Sequence, residues 1–308
     1  MTSARPIVAA IDPHRADLSP AALGLLLAKI TGERLVLASA YALDAAFDPL
    51  YPEYAQFVRA ATERALEPTL AWAAMHAGAT VGVSTAVVAD AGSPATALHK
   101  LAARTDASMI VVGSSPRGPI GRVLPGAVTD RLLHSAPCPV AVATTGFSPG
   151  ELRRVGVAFV DRADGWAALT RGWRLAEAAG ARVRVLTVRE PLDPRFVTPL
   201  AADQVGEMDR ARSEAAERTL RAGVGAVAPS CSAGGEVLVG RPCDALATAS
   251  EDLDLLVCGS RGYGPVRTLL LGGVSHALVR HAACPVLVVP LGDRLASAPT
   301  RTSQTVGP

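Results

Sequence analysis

The sequence predicts an α/β protein built from two tandem, doubly wound units, each a parallel sheet covered on both faces. Three observations carry this. The chain repeats itself: residues 105–143 align without a gap on residues 251–289, with about 15 of the 39 positions identical. Apolar runs of strand length alternate with segments whose apolar residues recur at helical spacing, the pattern of successive strand and helix units. The strand candidates are mostly continuous apolar runs, which marks strands buried on both faces. A length of 308 residues suits two domains, each able to bury most of its apolar surface.

The elements follow in order. Residues 6–11 form a buried strand that ends at Asp12, and 19–31 form a helix stopped by Gly32. Residues 34–40 are again strand-like, a long helix spans about 53–77 with Pro68 inside it, and 81–89 alternate as a strand. Ser93 and Pro94 start a helix, serine as cap and proline at the first position. A strand at 109–112, a glycine-containing loop, a short helix at about 126–135 and a strand at 139–142 close the first unit. The second unit repeats the order, with strands at 155–160, 182–188, 236–239, 254–258 and 285–290 and helices at 165–179, 201–222, 242–250 and 273–281. Its start, Gly156 to Asp161, matches Ile7 to Asp12, each an apolar run ending in aspartate. Repeat one is placed at 1–145 and repeat two at 152–291, with 292–308 a polar tail expected to be mobile.

Composition excludes several functions. Thirty basic against 28 acidic residues leave a net charge of +2, no footprint for a nucleic-acid backbone or an anionic membrane. The two lysines, Lys29 and Lys100, do not follow a glycine, so a Walker A loop is absent. Five cysteines without a C-x-x-C pair read as reduced, mostly buried thiols. The amino terminus runs into a short apolar stretch that Asp12 ends, so no leader or spanning segment is expected and the location is expected to be cytoplasmic. The histidines lack zinc-site spacing, G-x-S-x-G is missing, and no residue is nominated as nucleophile or general base.

Ligands of an open parallel sheet bind at the carboxyl ends of its strands, where strand order reverses. Two features of each repeat map there: the aspartate closing the first strand, Asp12 or Asp161, and the loop after the fourth strand, starting at Gly113 or Gly259. In repeat two this loop runs Gly259, Gly262, nine residues, Gly272, Gly273, Val274 and Ser275 into a helix. Glycines allow close backbone approach to an anion, and helix amino-terminal amides point at it, making a phosphate cradle without a lysine.

The pattern Gly-x2-Gly-x9-Gly after a strand and before a helix resembles the nucleotide-binding signature of the universal stress protein family, twice over nearly the whole chain. The segments Ser135 to Val142 and His281 to Val289, each with Cys-Pro, are similar to that family's closing segment. The resemblance implies an adenine nucleotide alpha hydrolase-like fold with five-stranded sheets of order 3-2-1-4-5. It implies ATP as ligand, with Mg²⁺ held by its phosphates, in a stress-response sensor or regulatory adaptor with little or no turnover. In repeat two, Val160 and Asp161 would line the adenosine, Val188 would meet the base, and Gly259 and Gly262 would follow ribose and phosphates. Gly272, Gly273, Val274 and Ser275 would hold the phosphates through amides and one hydroxyl. In repeat one the matching positions are Asp12, Ala40, Gly113, Gly126, Ala127, Val128 and Thr129.

Both repeats depart from the family pattern. Gly273 and Ala127 stand where a serine or threonine is usual, and Pro116 replaces the second glycine in repeat one, removing an amide donor. Slow ATP hydrolysis or autophosphorylation, and a nucleotide-free interaction module, are the competing readings. The final strands, 140–142 and 286–289, are apolar edges through which the repeats are expected to pair. Family resemblance alone adds a homodimer.

Overall fold

A computed structural model describes residues 5–42, 52–90, 92–114, 123, 126–192, 202–260 and 273–293. Repeat one contains β1 (Ile7–Ala10), α1 (Ser19–Thr31), β2 (Leu35–Ala42), α2 (Pro52–Ala77), β3 (Val83–Asp90), α3 (Pro94–Arg104), β4 (Met109–Val112), α4 (Ala127–Ser135) and β5 (Val140–Val142). Repeat two contains β6 (Arg154–Ala158), α5 (Ala163–Ala179), β7 (Arg182–Arg189), α6 (Ala202–Gly225), β8 (Ala233–Val239), α7 (Pro242–Ala249), β9 (Leu255–Gly259), α8 (Gly273–His281) and β10 (Val286–Val289).

The ten strands of the described residues join one sheet, in the order β3-β2-β1-β4-β5-β10-β9-β6-β7-β8. Each half therefore reads 3-2-1-4-5, with the switch point between its first and fourth strands. Pairing is parallel throughout except at the seam, where β5 and β10 run antiparallel with Leu287 opposite Ala141. The apolar final strands thus pair with each other, and a second chain has no access to those edges.

Alternate residues of the strands feed two cores. Ile7, Ala9 and Val157 lie on one face under α1, α2, α5 and α6, which supply Leu23, Leu66, Leu175 and Leu220. Val8, Val36 and Leu256 lie on the other under α3, α4, α7 and α8, which supply Leu98, Leu132, Leu246 and Leu278. Both repeats contribute to both cores, so the sheet and its two covers are continuous across the seam.

Three departures from the expected elements have physical causes. Helix α2 runs through Pro68. Proline there removes an amide and orphans the carbonyl one turn earlier, but Pro68 lies on the exposed side, where water satisfies that carbonyl, while Leu66 and Ala73 hold the buried side. Strand β8 begins at Ala233 instead of 236, because hydrogen bonding to β7 extends through the Gly234–Gly235 pair that breaks the apolar pattern. Helix α5 begins at Ala163, two residues early, and this affects the site in repeat two.

Cys138, Cys258 and Cys284 are buried, and burial pushes each thiol up to about 12. In the unfolded chain the thiols titrate near 9, so above that pH the unfolded state loses protons that the folded state keeps. Their contribution to stability is complete below pH 9 and is lost as pH rises toward 12, at up to about 1.4 kcal/mol per thiol per pH unit. The urea midpoint is expected to fall between pH 8 and pH 10, with a flatter slope in a triple alanine variant.

Candidate functional site

At the carboxyl end of the repeat-one strands lies a cleft of about 380 Å³. Its floor is the switch point: Ala10 to Asp12 from the end of β1, Ala38 to Tyr41 from β2, and Val112 to Ser114 from β4. Helix α2 adds Thr62, α3 adds Pro94 and Leu98, and the start of α4 adds Ala127, Val128 and Thr129 behind Gly126.

The loop from Asp12 to Leu18 is kept out of helical conformation by its own sequence. The Asp12 carboxylate accepts the amide of His14 at 3.0 Å, and the Asp17 carboxylate accepts the amide of Ser19 at 3.0 Å, two turns that aspartate favours. Pro13 lacks an amide, and Pro20 fits only the first turn of α1. Arg15 pairs with Asp17 at 3.6 Å, and the Ser19 hydroxyl accepts the amide of Phe147 at 3.1 Å. One Asp12 oxygen is used in its turn, and the carboxylate keeps acceptor capacity toward the cleft.

The opposite wall is built from amides. Gly126 caps α4 in extended conformation without a side-chain cap, and the first helical bond runs from the Asp130 amide to the Gly126 carbonyl at 2.9 Å. The amides of Ala127, Val128 and Thr129 therefore precede the intrahelical ladder and face the cleft end of the helix, with the positive pole of its dipole. Thr129 ties this wall to the strand by donating to the Gly113 carbonyl at 3.0 Å, and Ser114 joins the ends of β4 and β5 by donating to the Ala143 carbonyl at 2.6 Å.

All seven repeat-one residues named from the sequence, Asp12, Ala40, Gly113, Gly126, Ala127, Val128 and Thr129, line this one cleft. The sequence reading missed His14, Arg15, Tyr41 and Thr62, which also line it. Tyr41 had a readable signal, since it follows Ala40 on the same strand end. Thr62 had none, because only the tertiary path of α2 brings it over the cleft.

Repeat two is built differently. Gly262 and Gly272 lie outside the described residues, as do Pro116, Arg117, Arg122, Arg261, Arg267 and the tail from 294. Gly259 and Ser275 do meet, the serine hydroxyl donating to the glycine carbonyl at 2.7 Å, the counterpart of Thr129 on Gly113. That hydroxyl, expected to reach a phosphate, is a strand-to-helix tie. Val188 sits half-buried near the end of β7, packed against the second core, and Gly273 and Val274 open α8.

The match of Asp12 with Asp161 is off by one. Strand pairing places Ile7 against Leu35 and Val155 against Val183, and the amides of Ile11 and Phe159 bond to Ala38 and Leu186. The position of Asp12 is therefore held by Val160, and Asp161 lies one residue later, accepting the Trp166 indole N–H at 2.8 Å. The apolar run of β6 is one residue longer, which a count from either aspartate does not reveal.

A family model described as the universal stress protein family matches residues 3–144 and again 151–290. The chain belongs to this family. A universal stress protein of Mycobacterium tuberculosis is 31% identical over 185 residues, which cover 59% of this chain and 62% of that protein. The match thus spans less than two thirds of the relative's length. A universal stress protein of Thermus aquaticus is 37% identical over 117 residues, covering 37% of this chain and 81% of its own. The crystal structure of a universal stress protein from Archaeoglobus fulgidus superposes with a TM-score of 0.64 at 19% identity, covering 95% of this chain and all of the other, a likeness of fold. Among the described residues of this universal stress protein, no group of three or more His, Cys, Asp or Glu could hold a metal ion, and no helix is long and apolar enough to cross a membrane.

Proposed function

We propose that this universal stress protein binds an adenine nucleotide, ATP, in the repeat-one cleft and acts as a stress-response sensor or regulatory adaptor. The observation that carries the reading is the meeting, in one cleft, of an uncapped helix amino terminus, the Asp12 carboxylate and an apolar strand end. The amides of Ala127 to Thr129 suit phosphate oxygens, which need donors and positive potential but no ammonium group. Asp12 suits a ribose hydroxyl or base amino donor, and Ala38 to Tyr41 with Leu98 offer a mostly apolar slot for the base. The glycines fit close approach: a Cβ at Gly126 would meet nothing within 4 Å, so the space before the helix is open. Bound nucleotide would carry its own Mg²⁺ on the phosphates.

A thermal melt tests this. With ATP at about 100 times its Kd, the folded state gains about 2.7 kcal/mol, and the melting temperature is expected to rise by about 5 °C. Millimolar ATP, ADP and AMP that all leave the melt unmoved would contradict the reading. Asp12→Ala is expected to weaken ATP binding by about 10-fold, the loss of one charged acceptor worth about 1.5 kcal/mol. Equilibrium binding of the variant checks it.

A further inference from the structure

We infer that each chain binds one nucleotide, in repeat one, because in repeat two the start of the first helix lies on the strand ends whose counterparts form the cleft floor in repeat one. The inference rests on the nucleotide reading above and sets its stoichiometry. From strand to helix the two repeats keep the same number of residues: Gly32 and Gly180 end α1 and α5 at the same distance from the aligned strand starts. The difference is in winding. Residues 12–18 form the open loop that lines the repeat-one cleft, whereas the corresponding residues of repeat two add a full turn to the start of α5, 17 residues against 13. Residues 160–168 contain neither of the prolines found at 13 and 20.

That added turn lies on the strand ends. A Cβ at Gly165 would stand 2.0 Å from the Val160 carbonyl oxygen, and one at Gly259 would stand 2.5 Å from the Asp164 carbonyl oxygen. Main chain of α5 therefore sits against the ends of β6 and β9, whereas at Gly113 of repeat one the nearest atoms are side chains, Pro20 Cγ at 3.0 Å and an Asp17 carboxylate oxygen at 3.4 Å from such a Cβ. The chemistry is also gone: Val160, 46% exposed, replaces the Asp12 carboxylate, and the carboxylate of Asp161 is held by Trp166. At the base end, Arg189 stands in the place of Tyr41 and is ion-paired with Asp209 of α6.

Titration calorimetry with ATP on the full chain, with one variant at each helix start, tests the inference. Gly126→Glu and Gly273→Glu each put a carboxylate at a phosphate-facing helix start, and neither new Cβ meets an atom within 4 Å. The expected result is one ATP per chain, lost in Gly126→Glu and kept in Gly273→Glu. Asp12→Ala, on an exposed loop side chain, repeats the repeat-one arm without altering α4, with an expected 10-fold loss of affinity. Two ATP per chain, or one that survives Gly126→Glu and is lost in Gly273→Glu, overturns the inference and leaves nucleotide binding intact. No ATP bound to the wild-type chain overturns the nucleotide reading itself.

Discussion

Gly126→Glu is expected to lower ATP affinity by about 100-fold or more while leaving the fold unchanged. The substitution sets a carboxylate at the cap of α4, where the proposed phosphates would meet the amides of Ala127, Val128 and Thr129. An acidic cap is favourable for an empty helix, because the positive pole of the dipole attracts it. The same attraction makes it a competitor: the glutamate takes the donors and repels the triphosphate, and a 100-fold loss corresponds to about 2.7 kcal/mol. Stability is expected to stay the same or rise slightly, since Gly126 has an ordinary negative φ of −85° and open space around its missing side chain. Calorimetric titration together with a melt in the absence of ligand reads both effects. Wild-type affinity in a folded variant would remove the amide cradle from the account.

Asp293→Ala is expected to destabilise the protein by about 3–5 kcal/mol. The reason lies at the seam, where the guanidinium of Arg171 on α5 is only 2% exposed. Arg171 forms an ion pair with Asp293 at 3.7 Å and donates to the carbonyl of Ser108, in repeat one, at 3.2 Å. Burial pulls the guanidinium pKa down, and the charges of Asp293 and Glu33 push it back up. Removing the carboxylate leaves a buried cation whose desolvation is no longer offset. Repeat one suggests the remedy, for Leu23 and Phe147 occupy the corresponding places there and pack in the shared core. The double variant Arg171→Leu with Asp293→Phe is expected to lie within about 1 kcal/mol of wild type or above it, because apolar replacement of a whole buried pair is often neutral or favourable. Urea unfolding of the single and double variants measures both. A single variant within about 1 kcal/mol of wild type would show that Arg171 is compensated elsewhere.

Much of the architecture was readable without coordinates because it depends on pattern. The duplication and the continuous apolar strands sufficed for two parallel-sheet halves, since strands buried on both faces tolerate only apolar residues, whereas the order 3-2-1-4-5 came from the family resemblance. The residues of the candidate repeat-one site fall in one cleft for a related reason: they sit at strand ends and a helix start, and topology brings those ends together. What stayed hidden depends on winding. An apolar run closed by aspartate looks the same at Asp12 and Asp161, and only hydrogen-bond register shows that Val160 takes the first place. Pro13 and Pro20 did carry a signal that the first loop stays open, but its meaning appears only beside an α5 that winds a turn further. Arg171 gave no warning, because an arginine beside Gly172 on an amphipathic helix reads as surface.

The most direct measurement is a crystal structure of the chain grown with saturating ATP and Mg²⁺. Density for one nucleotide in repeat one is the predicted result, its phosphates within hydrogen-bond distance of the Ala127 to Thr129 amides and its base against Ala40 and Tyr41. A repeat-one cleft empty under those conditions, or a triphosphate bound away from the start of α4, would contradict the account.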